Sequence, residues 1–179
     1  TGTTTTSIVG FNAPTVAHQY CVFYDNDIHD NGQLDPPTDI DNHGLNFTPP
    51  MNEMWVVDNR LYRNGGDGIQ VNAGSLANEG TIHHIYIGRN ECYQNRQTGV
   101  WLKQCTDVIV SENNCHDHRP TAQATTAAGL GGQYGSVRAW YIFNRSWNND
   151  NGIRIASTSG LGSGADLYLV GNLFYDISP

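Results

Sequence analysis

The sequence predicts an all-β chain whose short parallel strands wind into a solenoid of about six coils. Three observations carry that expectation. A pattern of the form Asn-x-apolar-ring recurs six times along the 179 residues. A second pattern, Gly-apolar-x-apolar, follows it in most units. Between them apolar residues alternate with a period of two, and no helical periodicity intervenes.

In chain order the first pattern reads Asn26-Asp27-Ile28-His29, Asn59-Arg60-Leu61-Tyr62 and Asn90-Glu91-Cys92-Tyr93. It continues as Asn113-Asn114-Cys115-His116, Asn144-Arg145-Ser146-Trp147 and Asn172-Leu173-Phe174-Tyr175. The asparagines are 33, 31, 23, 31 and 28 residues apart. Each unit opens on a strand. Three residues before the Asn stand Phe23, Val56, Ile87, Val110, Tyr141 and Leu169, and five before it Cys21, Met54, Ile85, Val108, Ala139 and Leu167. Alternation puts both columns in the core. Five residues after the Asn a second polar turn residue follows: Asn31, Asn64, Asn95, His118 and Asn149. The second strand is Gly44-Leu45-Asn46-Phe47, Gly68-Ile69-Gln70-Val71, Gly99-Val100-Trp101-Leu102 and Gly152-Ile153-Arg154-Ile155. The span His116–Gly135 reads as a long insert.

One coil of this kind cannot bury its own inward face, so the coils above and below must do it. Parallel strands about 4.8 Å apart bring equivalent residues into vertical register. An Asn at the same corner of every coil can then hydrogen-bond up and down a ladder and satisfy turn backbone that would otherwise be buried unpaired.

These repeats, Asn-x-[Ile/Leu]-x-x-Asn and Gly-[Ile/Val]-x-[Val/Ile/Leu], resemble those of the right-handed parallel β-helix, as in NosD-like proteins, pectate-lyase-like enzymes and alginate epimerases. The resemblance covers residues 20–176 and implies that fold. It leaves activity open, because the architecture hosts lyases, hydrolases, epimerases, phage spikes and adhesins. Residues 1–19 read as an N-terminal arm or a partial preceding coil, and 20–179 as the repeats. A worn strand at Thr6–Phe11 and the lack of a second strand after the sixth unit suggest a slice of a longer helix, or a unit that self-associates through its ends.

The charge balance is −8 and Lys103 is the sole lysine, which argues against nucleic-acid binding. No apolar run approaches the roughly 18 residues of a membrane-spanning helix. An acidic, Asn/Thr/Gly-rich composition points to a secreted or cell-surface protein. Cys92 and Cys115 share an inward column in adjacent coils and either bond or stack as buried thiols.

Two outward faces are candidate polysaccharide sites. Four residues before each Asn lie Val22, Trp55, Tyr86, Ile109, Trp140 and Tyr168, an apolar column where alternation demands an outward one. Such a stripe serves sugar stacking, with Trp55, Tyr86 and Trp140 as the platform, or is covered by the N-terminal arm, the insert or a second subunit. On the second strands the outward residues are Asn46, Gln70, Trp101 and Arg154, with Asn72 and Lys103 beside them. The resemblance to lyases implies a base for the C5 proton of a uronate and a cation for its carboxylate. Lys103 and Arg154 are the candidates, with Trp101, Gln70 and Asn72 binding the substrate. The alternative is a non-enzymatic adhesive or structural module. Asp35, Asp39 and Asp41, in an acid-rich loop, are candidate ligands for Ca²⁺. His116 and His118, a His-x-His pair, and His83-His84 are weaker metal candidates.

Overall fold

The computed structural model describes residues 18–122, 127–156 and 166–178. The first coil holds β1 (His18–Gln19), β2 (Val22–Tyr24), β3 (Asp27–His29) and β4 (Leu45–Phe47). The second holds β5 (Met51–Val57), β6 (Arg60–Tyr62) and β7 (Ile69–Asn72). The third holds β8 (Ile82–Gly88), β9 (Glu91–Tyr93) and β10 (Thr98–Lys103). The fourth holds β11 (Thr106–Ser111), β12 (Asn114–His116) and β13 (Ala128–Gln133), and the fifth β14 (Val137–Ile142), β15 (Arg145–Trp147) and β16 (Asn151–Ile155). With β17 (Leu167–Val170) and β18 (Leu173–Tyr175) a sixth coil begins.

All pairings are parallel and run coil to coil, so the solenoid has three sheets. Sheet A is β1 and β2 beside β5, then β8, β11, β14 and β17. Sheet B is β3-β6-β9-β12-β15-β18, and sheet C is β4-β7-β10-β13-β16. The expected register holds at every tested rung: Trp55 pairs with Tyr86, Tyr86 with Ile109, Ile109 with Trp140, and Leu61 with Cys92. Both inward columns are core through the middle coils, with Met54, Val56, Ile87, Val108, Val110 and Tyr141 buried, while in the outer coils Cys21, Phe23 and Leu167 are partly buried and Leu169 is exposed.

Two ladders hold the corners. The backbone N–H and Nδ2 of Asn59 both donate to Asn90 Oδ1, at 3.0 and 2.9 Å, and Asn90 does the same to Asn113 at 2.9 Å each. The series runs without a break from Asn26 to Asn172. The second ladder links Asn31, Asn64 and Asn95, after which Asn95 N–H donates to Nδ1 of His118, and His118 N–H to Asn149 Oδ1. The residue before each first-ladder Asn is left-handed, with φ of 58° at Asp58, 55° at Arg89, 58° at Glu112 and 54° at Phe143. Such a conformation costs a non-glycine residue about 1 kcal/mol, which the buried ladder bonds offset.

Two expectations need correction. The span after His116 is not purely an insert, since Ala128–Gln133 forms β13 and pairs with β10. Its sequence, Ala-Gly-Leu-Gly-Gly-Gln, has poor strand propensity, but the register with β10 and β16 overrides it. His116 and His118 do not share a side. Asp117 between them is left-handed at φ 59°, which sends His116 outward between the rings of Tyr93 and Trp147 and His118 into the ladder. In the acid-rich loop the carboxylates of Asp39 and Asp41 receive Arg96 Nη2 at 3.0 and 2.5 Å. Among the described residues no three His, Cys, Asp or Glu side chains gather around a metal position. Cys92 and Cys115, paired in register, are free buried thiols, and hydrogen bonding to Cys115 with burial pushes the Cys92 thiol well up.

Candidate functional site

The outward aromatic column of sheet A does not stand alone. Strict alternation fails in its strands, because buried residues stand three apart: Met51 and Met54, Ile82 and Ile85, Cys105 and Val108. The cause is a left-handed residue at the same place in each coil, Glu53 (φ 54°), His84 (54°), Asp107 (55°) and Arg138 (52°). Each of these residues stands two positions before the aromatic column, on the same outward side. The two columns together line a groove of about 520 Å³ along Glu53, Trp55, His84, Tyr86, Asp107, Ile109, Arg138 and Trp140. Trp55, Ile109 and Trp140 are 39%, 39% and 37% exposed.

Tyr86 lies differently from its neighbours. A Cβ at Gly88 would meet Tyr86 Cε1, Cζ and Oη at 2.4–2.5 Å. The ring therefore lies back flat over Gly88, and its other face is the floor of the groove. Along the charged column Arg138 Nε and Nη2 donate to the two oxygens of Asp107 at 2.5 and 2.8 Å. The guanidinium holds the Asp107 carboxyl below its ordinary range. His84 stands 3.5 Å from Glu53 and 3.9 Å from Asp107, and its Nδ1 is 2.6 Å from that of His83.

On sheet C Gln70, Asn72, Trp101 and Lys103 do come together, with Trp101 and Gln70 buried, Asn72 and Lys103 half-buried and Arg154 exposed. Gln70 pairs with Trp101 and Asn72 with Lys103. Trp101 is 6% and Gln70 3% exposed. The Trp101 ring lies across Gly131, and the Arg154 guanidinium stands 5.8 Å from its centre. Gln70 is bound to Asp67 and Asn72 to Gln70. The strands bearing Lys103 and Arg154 are two ladder steps apart, about 10 Å along the axis. Asp67 itself is buried against His43, 3.3 Å away. Burial pushes the Asp67 carboxyl up and the His43 imidazole down, which favours a neutral pair. A further concavity of about 450 Å³ opens beside Arg63, Arg96 and Arg119, with no aromatic ring on its walls.

Glu53, Asp107 and Arg138 were not placed on this face from the sequence, and His84 was noted only beside His83 as a metal candidate. The signal was present, since each stands two residues before a member of the aromatic column.

No curated protein matches the sequence. Among solved structures the chain is similar to the periplasmic alginate epimerase AlgG, at 13% identity and a TM-score of 0.54 over 89% of this chain and 44% of that one. It is also similar to the A-module of the Azotobacter vinelandii mannuronan C-5 epimerase AlgE6, at 14% identity and a TM-score of 0.48 over 89% of this chain and 56% of that one. The chain thus spans about half the length of these proteins, and at such identity the likeness is one of fold. The model of the right-handed β-helix region matches residues 52–178, which takes in both ladders apart from their first rungs, Asn26 and Asn31, and the whole groove. The stacked parallel coils and that match agree, and the chain belongs to the right-handed β-helix family.

Proposed function

We propose that the sheet A groove binds a polysaccharide strand laid along the solenoid axis, and that the protein acts at a secreted or cell-surface location. The flat Tyr86 ring, held open by Gly88 between exposed Trp55 and Trp140, is the observation that carries this reading. Pyranose rings present an apolar face that packs on an aromatic one while the polar edges stay hydrated. Coils follow one another at about 4.8 Å, close to the advance of one residue in a linear glycan. An aromatic or aliphatic contact at every coil therefore meets successive sugars. The periplasmic alginate epimerase AlgG, a neighbour of the same fold, is compatible with this reading. Trp101 on sheet C, by contrast, has no open ring face to offer.

Titration calorimetry with linear hexasaccharides tests it. Tyr86→Ala and Trp55→Ala are each expected to weaken binding about tenfold, the scale of a lost aromatic contact. Gly88→Val should act in the same direction, because its side chain displaces the Tyr86 ring. Trp147→Ala, in the sheet B ring stack, should leave the affinity unchanged. Loss of affinity in Trp147→Ala with wild-type affinity in Tyr86→Ala would place the ligand elsewhere. The binding reading also expects no rise in ultraviolet absorbance on incubation with pectate or alginate. A rise abolished by Lys103→Ala would instead favour lyase chemistry on sheet C.

A further inference from the structure

The charges on the groove select among glycans. We infer that its ligand is an uncharged polysaccharide rather than a polyuronate, and that Asp107 is the residue that enforces this. The inference rests on the binding reading above and names the class of ligand.

A groove for uronates needs cations free to meet a carboxylate at each sugar or every second sugar. Among the described residues that line the groove, Arg138 is the one permanent cation. Its Nε and Nη2 are both committed to Asp107, and the fork that could grip a sugar carboxylate is filled by a protein one. Glu53 adds a second carboxylate on the same column, one coil from His84. The sole lysine, Lys103, belongs to sheet C. The neighbouring corner offers no spare cation either, since Arg89 donates to both oxygens of Asp58 at 2.8 and 2.7 Å. The chain as a whole carries −8. A uronate strand in this groove would meet carboxylates along its length with no unpaired guanidinium in reach. A neutral strand loses nothing to those charges, and the carboxylates of Glu53 and Asp107 can accept hydrogen bonds from sugar hydroxyls.

The experiment compares neutral hexasaccharides (cellohexaose, xylohexaose, mannohexaose) with hexamannuronate, hexaguluronate and hexagalacturonate. Affinities are measured in 20 mM and 300 mM salt, on wild type, Asp107→Asn and Arg138→Gln. At least one neutral oligomer should bind at least about tenfold more tightly than any uronate in low salt. Added salt should narrow the gap by screening the repulsion, leaving the neutral affinity nearly constant. Asp107→Asn frees the Arg138 fork, and the ratio of neutral to uronate affinity should fall about tenfold. Arg138→Gln leaves Asp107 unneutralised and should widen that ratio. A uronate that binds wild type as tightly as the best neutral oligomer in low salt, or an unchanged ratio in Asp107→Asn, would overturn the inference and leave the groove standing. Binding of neither class would overturn the groove and the inference with it.

Discussion

Asn90→Ala is expected to destabilise the protein by roughly 3–5 kcal/mol. Asn90 sits on a central rung. Its Oδ1 accepts from the backbone N–H of Asn59, and its Nδ2 donates to Val56 C=O at 2.8 Å and to Asn113 Oδ1 at 2.9 Å. Every one of these groups is buried. Alanine removes the side chain without admitting water, so a backbone donor and a backbone acceptor lose their partner inside the wall. Each such orphan costs about 1–3 kcal/mol. Asn26 stands at the first rung, where solvent reaches its side chain, and Asn26→Ala should cost less than about 1 kcal/mol. Urea denaturation of the two variants at pH 7 makes the comparison. Equal losses would mean that the rungs are decorative and that strand pairing alone holds the coils in register.

His118→Asn is expected to remove a large part of the acid sensitivity of the fold, beside the part that the buried His43 contributes. Asn95 N–H donates to His118 Nδ1 at 3.1 Å, which fixes the ring as a neutral acceptor there. Burial lowers its pKa from 6.5 to about 4. The folded state thus binds the proton less readily than the unfolded chain. Stability is full above about pH 6.5 and is lost as the pH falls through the interval to about 4, by about 3 kcal/mol in total. Protonation puts an N–H against the N–H of Asn95 and breaks the rung. Asparagine, the residue at every other position of this ladder, offers Oδ1 in the same place and cannot be charged. Between pH 7.5 and 4.5 the wild type should lose at least about 2 kcal/mol more than His118→Asn, read from urea midpoints. Parallel losses would contradict the placement of His118 as a neutral rung.

Much of this architecture was legible because a solenoid repeats its chemistry. The ladder asparagines stand at one corner in every coil, and a residue that recurs at a fixed phase must meet its copies. The aromatic column followed from the same phase. Glu53, His84, Asp107 and Arg138 stand two residues before Trp55, Tyr86, Ile109 and Trp140, so alternation reaches them. They were passed over because the columns were followed back only five residues from the Asn. Asp117, left-handed at φ 59°, parts the sides of His116 and His118. The strand Ala128–Gln133 was hidden by its glycines, and Gly131 has its own purpose, since the Trp101 ring occupies the space of a side chain. In the acid-rich loop composition shows the carboxylates but not Arg96, which arrives from two coils away to pair with Asp39 and Asp41. On sheet C the outward residues were correctly grouped, but burial of Trp101 and Gln70 depends on tertiary cover that the repeat does not encode.

The measurement that bears most directly on the whole account is a crystal structure of the protein with a bound neutral hexasaccharide. The account predicts sugar rings in series over sheet A, one of them stacked on the flat face of Tyr86, with its neighbours reaching toward Trp55 and Trp140. Sugar rings seated instead over Trp101 and Arg154, or at the sheet B corner beside Arg96 and Arg119, would contradict it.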